Sequence, residues 1–339
     1  MKNLINSLEH LKRNLDVFAC PRCRADIVLA GGSIRCTGCG ASFREDEGIP
    51  LMFVPNKWDG KEDVTEIIKA FYEKTPFPNY ESFETAADLI VKAERSQFVR
   101  MLNEQIPFGV RMLEVGCGTG QMTNYLGIAN RSLFGADMCL NSLKLATEFK
   151  VRNNLERVGF YQMNLFRPIF KDESFHLVIS NGVLHHTSRP QEGFLSIARL
   201  VKKGGYILIG LYHKWGRLIT NVRQKIFTVS GDRFRFLDPR LRDERIGEIK
   251  KSTWFRDQYK NPHESKHAIG EILGWFDRAG FDFVYGIPNP KVGTAFSPDD
   301  KIFSIYKSGT KLDHFLVELM MVFQSSREGG FFVMIGKRR

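Results

Sequence analysis

Short apolar runs alternate along this chain with segments in which apolar residues recur every three or four positions. The apolar runs have the length of buried strands, and they lie at 110–115, 132–136, 175–180, 206–211, 281–287 and 330–335. Helical spacing predicts helices at 65–73, 86–105, 267–279 and 312–323. This order predicts an α/β fold in which helices cover both faces of a mostly parallel sheet.

The strand predicted at 110–115 leads into a turn that contains three glycines. Gly116, Gly118 and Gly120 alternate within the sequence LEVGCGTG at 113–120, as in a turn where the backbone must bend and a ligand must approach closely. Such a turn between strand and helix forms a nucleotide-type pocket at the carboxyl edge of a parallel sheet. The dinucleotide fingerprint requires a glycine where this chain has Gln121. We therefore do not expect NAD as the ligand.

The glycine turn and the segments that follow it resemble the class I S-adenosylmethionine-dependent methyltransferases of the type 11/12-like branch. Asp137 matches the acidic residue that binds both ribose hydroxyls in that family. Residues 175–186, FHLVISNGVLHH, and the turn 202–205, KKGG, are similar to the segments around the family's fourth and fifth strands. The resemblance covers 66–212 and implies a Rossmann-like sheet of seven strands. A Rossmann-like sheet that binds no cofactor is the alternative.

The resemblance also implies roles for individual residues. Glu114 would orient the turn or the methionine ammonium, and Asn181 with Gly182 would lie where the methionine group meets the acceptor. Asn164 and Leu165 fall where the family usually has an acidic residue near the adenine amine, which is a departure in this chain. The residues expected to contact S-adenosylmethionine are Glu114, Gly116, Gly118, Gly120, Asp137, Met138, Asn164, Leu165, Asn181 and Gly182.

Three histidines are candidates for a catalytic base. His185 and His186 follow the predicted fourth strand, and His213 follows the fifth. Histidine accepts a proton near neutral pH, which an oxygen or nitrogen acceptor requires if it must lose one. The alternative is that these histidines pack in the interior.

Four cysteines form two pairs in the N-terminal segment. Cys20 and Cys23 are followed, after twelve residues, by Cys36 and Cys39. This spacing suits a tetrahedral structural Zn²⁺ site, and disulfides fit poorly with a cytoplasmic chain. An Fe–S site or an empty site is also compatible. The segment resembles the Trm112-like zinc ribbons, which implies a structural role or a surface for a protein partner.

Three regions are predicted from these features. Residues 1–55 form an N-terminal helix and the zinc ribbon, 56–108 a linker with helices that cap the cofactor, and 109–339 the methyltransferase domain. In the capping region, Tyr72, Phe77 and Tyr80 either contact the methionine end or acceptor, or pack on the sheet edge. Two insertions follow the fifth and sixth strands, 213–266 and 288–326, and we expect both to build the acceptor pocket.

The net charge of +11 is concentrated in the first insertion. Residues 213–266, here called the basic insertion, carry 14 Lys/Arg and 7 Asp/Glu, a net charge of +7. This cluster suits a phosphate backbone or an anionic membrane surface, or a solvated segment with helical charge pairs. No apolar run approaches the roughly 20 residues of a membrane span, so we expect no integral membrane contact and a cytoplasmic location.

These observations predict a methyltransferase that acts by in-line displacement on an O, N or C atom of a small-molecule or lipid-like acceptor. RNA methylation, with the zinc ribbon and the basic insertion binding the substrate, is the alternative. A protein without catalytic activity that binds a partner is the second alternative.

Overall fold

The computed structural model describes residues 6–58, 63–77, 85–244, 246–324 and 330–339. Its helices, in chain order, are α1 Ser7–Arg13, α2 Thr65–Lys74, α3 Ala86–Ala93, α4 Gln97–Gln105, α5 Gln121–Ile128, α6 Leu140–Arg152, α7 Pro190–Ala198, α8 Leu218–Ser230, α9 Glu248–Lys260, α10 Ile269–Arg278 and α11 Lys311–Gln324. Its strands are β1 Ile27–Ala30, β2 Ser33–Cys36, β3 Ser42–Phe43, β4 Glu45–Asp46, β5 Ile49–Pro50, β6 Arg111–Val115, β7 Ser132–Asp137, β8 Val158–Gln162, β9 Phe175–Asn181, β10 Val201–Tyr212, β11 Phe281–Ile287 and β12 Phe331–Arg338.

The central sheet has seven strands in the order β11-β12-β10-β9-β6-β7-β8. The five strands from β10 to β8 run parallel, and β12 runs antiparallel between β10 and β11. The order reverses between β6 and β9, so the carboxyl ends of these two strands open a crevice. The α/β fold class predicted from the sequence is confirmed.

Helices cover both faces of this sheet because its strands are apolar on both sides. Alternate residues of β6 point to opposite faces. Leu113 belongs to a core cluster that includes α10, and Met112 belongs to a second cluster that includes α4, α5 and α6. Fully buried parallel strands of this kind are near-continuous apolar runs in sequence, which is why they were predictable.

The N-terminal segment packs on the outer edge of the sheet. Its strands form a three-stranded sheet, β1-β2-β3, and the pair β4-β5. The Met52 N–H donates to the Gln162 carbonyl of β8 at 3.1 Å, and His10 of α1 meets the Tyr161 hydroxyl at 2.6 Å. The Phe18 ring lies 5.0 Å from that of Tyr161. The ribbon therefore covers β8, which is the last strand of the sheet.

The prediction of a single helix at 86–105 is wrong, because the structure has two helices there, α3 and α4. The Ser96 hydroxyl accepts a hydrogen bond from the Val99 N–H at 3.4 Å and caps the new helix. The spacing of Leu4, Ile5, Leu8, Leu11 and Leu15 predicts one amphipathic first helix. Leu15 instead lies in a 3₁₀ turn after α1, and Leu4 and Ile5 lie outside the described residues. β10 begins at Val201, five residues before the predicted strand, and its register with β9 shifts before Tyr206.

The two insertions have different places in the fold. The basic insertion holds α8 and α9, which enclose a small core of Phe227, Phe255 and Tyr259. The second insertion, 288–326, runs back over the sheet, where the Phe303 ring lies 4.9 Å from that of Tyr206, and then forms α11 against α10. Among the described residues, no helix has the length and apolar character needed to cross a membrane.

Candidate active site

A cavity of about 610 Å³ lies at the crevice where the strand order reverses. Residues at the carboxyl ends of β6, β7 and β9 form its floor, including Gly116, Asp137 and Asn181. Helices α2, α3 and α4 and the segment that follows α2 form one wall, to which Tyr72 and Phe77 contribute. The predicted cofactor residues that line this cavity are Glu114, Gly116, Gly118, Asp137, Met138, Asn164, Leu165, Asn181 and Gly182.

The glycines of the turn are required by its backbone and by close packing. Gly116 has φ +74°, and a Cβ there would overlap the side chain of Val183. Gly120 has φ +73°, and its Cβ would lie 2.7 Å from the Phe160 ring. Gly120 is the N-cap of α5 and lies behind the cavity wall. At Gly116 and Gly118 the turn therefore presents only backbone to the cavity.

Asp137 is held in place by backbone groups. Its Oδ2 accepts from the Gly118 N–H and its Oδ1 from the Cys139 N–H, each at 2.8 Å. Burial raises the pKa of this carboxyl, although these hydrogen bonds oppose the shift. Each carboxylate oxygen can accept further hydrogen bonds, so the group can still bind a ribose diol.

Glu114 is a second buried carboxyl on the cavity. Burial raises the pKa of Glu114 to about 7, and the Thr123 hydroxyl donates to its Oε2. A desolvated carboxyl gains most from a cationic partner. A ligand ammonium in the cavity would supply that cation.

Asn181 carries an unpaired acceptor. Its Oδ1 is buried and has no hydrogen-bond partner within the described part of the chain. A Cβ on Gly210 of the neighbouring strand would overlap this oxygen. A buried unpaired polar atom is unfavourable unless a ligand satisfies it, so Glu114 and Asn181 together fit the ammonium of S-adenosylmethionine.

Asn164 is engaged by the linker that follows the ribbon. Its Nδ2 donates to the Val54 carbonyl at 2.9 Å and to Asn56 Oδ1 at 2.8 Å, and its Oδ1 accepts from the Phe166 N–H at 3.0 Å. Both donors of the amide are therefore used. The hydrogen bond to an adenine amine stays a prediction, and it would need the second acceptor site of Oδ1.

Of the three candidate histidines, only His186 lines the cavity. Its Nδ1 lies 2.9 Å from the His263 carbonyl. Because a carbonyl can only accept, Nδ1 carries the proton and Nε2 is the free base. Burial lowers the pKa of His186, while the nearby Asp257 carboxylate raises it in part.

His185 and His213 lie elsewhere in the interior. His185 is completely buried, and neither ring nitrogen has a hydrogen-bond partner among the described residues. His213 is also buried; its Nε2 lies 3.6 Å from a Glu318 oxygen of α11, and its Nδ1 accepts from the Gly216 N–H at 3.1 Å. Neither imidazole reaches the cavity surface.

The basic insertion forms one wall of the cavity, and the sequence did not indicate which of its residues would lie there. Arg240, Trp254, Asp257 and Gln258 line the cavity. Their only sequence signal is that the insertion follows the carboxyl end of β10. The expectation that the second insertion also builds this pocket is not met, because none of its described residues lines the cavity.

Asp257 joins the insertion to the capping helices through hydrogen bonds. The Tyr72 hydroxyl donates to its Oδ1 at 2.8 Å, and Gln258 Nε2 donates to its Oδ2 at 2.9 Å. Burial strongly raises the pKa of Tyr72. Tyr72 and Phe77 line the cavity, and their contact with the methionine end or the acceptor stays a prediction. Tyr80 lies outside the described residues.

The four N-terminal cysteines converge on one point. Their sulfur atoms all lie within 4.8 Å of one another, with Cys20 and Cys39 Sγ 3.8 Å apart and Cys23 and Cys36 Sγ 3.4 Å apart. Four thiolates about 2.3 Å from a zinc ion are spaced similarly. Hydrogen bonds from the Cys39 and Gly38 N–H groups lower the pKa of Cys36 to about 6. The donor set thus fits a zinc ion.

Comparison with known proteins gives one family match, which falls within the central domain. Residues 113–209, from the glycine turn to β10, match the methyltransferase domain family Methyltransf_11. This chain carries a methyltransferase domain. The match, the sheet order and the glycine turn together identify that domain as S-adenosylmethionine-dependent.

Individual relatives of the methyltransferase domain are distant. An uncharacterized protein of Synechococcus sp. is 26% identical over 259 residues, covering 66% of this chain and 60% of the relative. The ubiquinone biosynthesis O-methyltransferase of Ruegeria sp. is 26% identical over 119 residues, covering 35% of this chain and 48% of the enzyme. The chain thus spans between about half and 60% of the length of these relatives.

Among solved structures, the methyltransferase of a Haloferax volcanii complex with the Trm112 methyltransferase activator is similar to this chain. The likeness has a TM-score of 0.44 and 14% identity, and covers 74% of this chain and 95% of the other.

Proposed function

We propose that this protein transfers the methyl group of S-adenosylmethionine to an oxygen atom of a small, largely apolar or lipid-like acceptor. One observation carries the proposal: a single cavity joins the glycine turn and Asp137 to the imidazole of His186. Relatives named ubiquinone biosynthesis O-methyltransferase support an oxygen acceptor.

The cofactor residues act by holding and orienting the cofactor. Asp137 binds the ribose, Glu114 and Asn181 bind the methionine ammonium, and the backbone at Gly116 and Gly118 packs against the cofactor. When bound, the cofactor supplies an electrophilic methyl group on a sulfonium. Positioning of the acceptor in line with that group supplies most of the rate enhancement.

His186 takes the proton of the acceptor hydroxyl at Nε2. Its Nδ1–H is fixed by the His263 carbonyl at 2.9 Å, so the tautomer is set before the acceptor binds. Burial keeps the imidazole neutral by lowering its pKa. The proton that it gains is stabilised by the Asp257 carboxylate nearby.

The acceptor end of the cavity suits an apolar molecule with a polar substituent. Aromatic rings of Phe77, Trp254 and Phe331 contribute to its lining. Arg240 also lines the cavity, with its guanidinium stacked 4.0 Å from the centre of the Trp254 ring. A carboxylate or phosphate on the acceptor would pair with this guanidinium.

RNA is the second candidate acceptor, favoured by the charge of +7 on the basic insertion. Several of these cations have internal partners instead. Arg217 is buried against Glu264, and Arg235 stacks 4.2 Å from the centre of the Phe255 ring. Fewer cations are therefore available to phosphates than the net charge indicates, which favours the small acceptor.

The four cysteines hold a structural zinc ion in this proposal. The ribbon's packed face is occupied by β8 of the same chain, so any protein partner would bind its opposite face.

Transfer of labelled methyl groups tests the function. Purified protein is given labelled S-adenosylmethionine together with either small RNA or an extract of lipids and metabolites. The variant His186→Asn is compared with the control variant His176→Asn, whose histidine lies near the amino end of β9. We expect label in the organic fraction, reduced at least about tenfold by His186→Asn only. Label in nuclease-sensitive RNA would overturn the small acceptor. Cofactor binding without transfer to either would favour a non-catalytic partner-binding protein.

A further inference from the structure

Helix α11 presents a continuous apolar face to solvent. The six large apolar side chains on this face, here called the apolar stripe, are those of Leu312, Phe315, Leu316, Leu319, Met320 and Phe323. They recur at three- and four-residue spacing and therefore share one side of the helix. Leu312 is 66% exposed and Phe323 is 78% exposed.

The orientation of α11 is fixed by its opposite side. Val317 and Met321 are buried in the core cluster that includes α10, and Glu318 Oε1 accepts from the Ile269 N–H at 2.8 Å. Rotation of the helix to bury the stripe would break these contacts. The exposure of the stripe therefore belongs to the folded protein, and a helix face of this size marks an interaction surface.

The basic insertion exposes apolar residues as well. On α8, Leu218 is 46% exposed, Val222 53% and Val229 90%. The exposed Lys225 lies on the same helix, whereas Arg223 lies on the side of Phe227 and interacts with Tyr259. The inner side of α8 is held by Phe227, which packs on Phe255 and Tyr259 of α9. The outer surface of α8 thus combines apolar side chains with the ammonium group of Lys225.

The apolar stripe and α8 lie at the same end of the sheet. The His213 N–H, just before α8, donates to the Gly330 carbonyl, just before β12, at 2.7 Å. The His213 ring also lies 3.6 Å from Glu318 in the middle of α11. Tyr212 and Phe331, the neighbours of these residues in sequence, line the cavity. Both surfaces therefore flank the end of the sheet that holds the active site.

We propose that the apolar stripe and the outer surface of α8 dock on an anionic lipid bilayer. Apolar side chains on a helix that lies in the interface enter the headgroup region, while nearby Lys and Arg are attracted to anionic headgroups. A second copy of the chain is disfavoured, because two copies joined through α8 and α11 would each bring a net positive insertion to the contact. The proposal is independent of the methyl acceptor.

Co-sedimentation with vesicles tests this surface in the whole protein without cofactor. Vesicles of phosphatidylcholine alone are compared with vesicles containing about one-third phosphatidylglycerol. We expect the protein to bind the anionic vesicles at least about tenfold more tightly, and the difference to shrink as salt rises from about 0.1 M to 1 M.

Matched variants locate the surface. Phe315→Ser with Phe323→Ser should weaken binding to the anionic vesicles at least about tenfold, and Lys225→Gln should weaken it about fivefold, as for one lysine near an anionic surface. The controls are Phe108→Ser, at an equally exposed position (77%) beside the amino end of β6, and Lys203→Gln, before the apolar part of β10. Both controls should bind as the unmodified protein does.

Three results would overturn the proposal. The first is equal binding to both vesicles, or to neither. The second is a loss of binding in the control variants as large as in the stripe variants. The third is a dimer mass by light scattering that Phe315→Ser with Phe323→Ser converts to a monomer, since the stripe would then join two copies. Each readout is a binding or mass measurement, so failed methyl transfer would not affect it.

Discussion

The Oδ2 atom of Asp137 accepts a hydrogen bond from the Gly118 N–H at 2.8 Å. This bond joins the end of β7 to the glycine turn that follows β6. The carboxylate that would bind the ribose is therefore oriented by the same turn that would pack against the cofactor. The fold thus brings both parts of the proposed cofactor site together without a ligand.

Replacement of Asp137 should separate binding from folding. Asp137→Ala removes the acceptor for the ribose hydroxyls, and we expect the Kd for S-adenosylmethionine to rise at least about tenfold, as for loss of hydrogen bonds to a charged group. Isothermal titration calorimetry gives the Kd, and circular dichroism checks the fold. The exposed Asp172→Ala serves as control. Unchanged affinity in Asp137→Ala would refute its role.

Glu114 should make the stability of the unliganded protein depend on pH. Its pKa is about 7 in the folded protein against 4.5 ordinarily, so between these values the folded state binds more protons than the unfolded state. Stability should therefore fall as pH rises from 5 to 8. Tm measured across this range should vary less in Glu114→Gln than in the exposed control Glu104→Gln. Equal slopes would contradict the assignment.

The same group should make cofactor binding tighter at higher pH. An ionised Glu114 attracts an ammonium, whereas the protonated carboxyl does not. We expect the Kd for S-adenosylmethionine to be several-fold lower at pH 8 than at pH 6, and this dependence to be weaker in Glu114→Gln. A Kd independent of pH in the unmodified protein would exclude an ion pair at this position.

The pH profile of methyl transfer should report His186. The imidazole must be neutral to act, and burial lowers its pKa, so kcat should be flat near neutrality and fall in acid. Asp257→Asn removes a carboxylate that raises the pKa of His186, so the acid limb should move to lower pH. Glu244→Gln, an exposed carboxylate in the same insertion, should leave the limb in place. An unmoved limb in Asp257→Asn would argue against His186 as the titrating base.

Zinc removal should destabilise the ribbon. Cys36→Ser should lower the zinc content measured by mass spectrometry and lower Tm, because metal binding contributes to the folding free energy of such a small domain. Cys139→Ser alters a buried cysteine outside the cluster and should retain zinc. Full zinc content in Cys36→Ser would refute the four-cysteine site.

Two glycine substitutions should have opposite effects. A Cβ at Gly210 would overlap Asn181 Oδ1 and crowd the Phe331 ring, so Gly210→Ala should lower both Tm and cofactor affinity. Gly274, in the middle of α10, has no atom within 4 Å of a built Cβ, and alanine there should add about 0.5–1 kcal/mol to the free energy of unfolding. Denaturant titration measures both. Equal effects would contradict the packing at Gly210.

The sheet was predictable because its determinants are local. Continuous apolar runs indicate strands that are buried on both faces, and Gly116 needs a positive φ that few other residues adopt. The break between α3 and α4 was not predicted because apolar residues keep their helical spacing on both sides of it. Ser96 was its only local signal, and a serine within a helix is common enough to be overlooked.

The sequence predicted the part of the candidate site that follows the strands, and it did not predict the part that depends on contacts between residues distant in sequence. Asp137 and Asn181 follow strands that the sequence indicates, whereas Asp257 reaches the cavity only through α9 and a hydrogen bond to Tyr72. These two residues are 185 positions apart. Likewise, the Asn164 donors are used by the linker, a contact that a motif comparison cannot reveal.

The packing of the N-terminal segment on β8 covers the last strand of the sheet. An exposed last strand offers unpaired N–H and C=O groups to other chains, and here the Gln162 carbonyl is taken by the Met52 N–H. Loosening of the segment that carries Met52 would free this carbonyl, and it would also release the cavity residue Asn164, which donates to the Val54 carbonyl at 2.9 Å. We therefore expect loss of the metal to promote aggregation through β8 and to disturb the cavity at the same time.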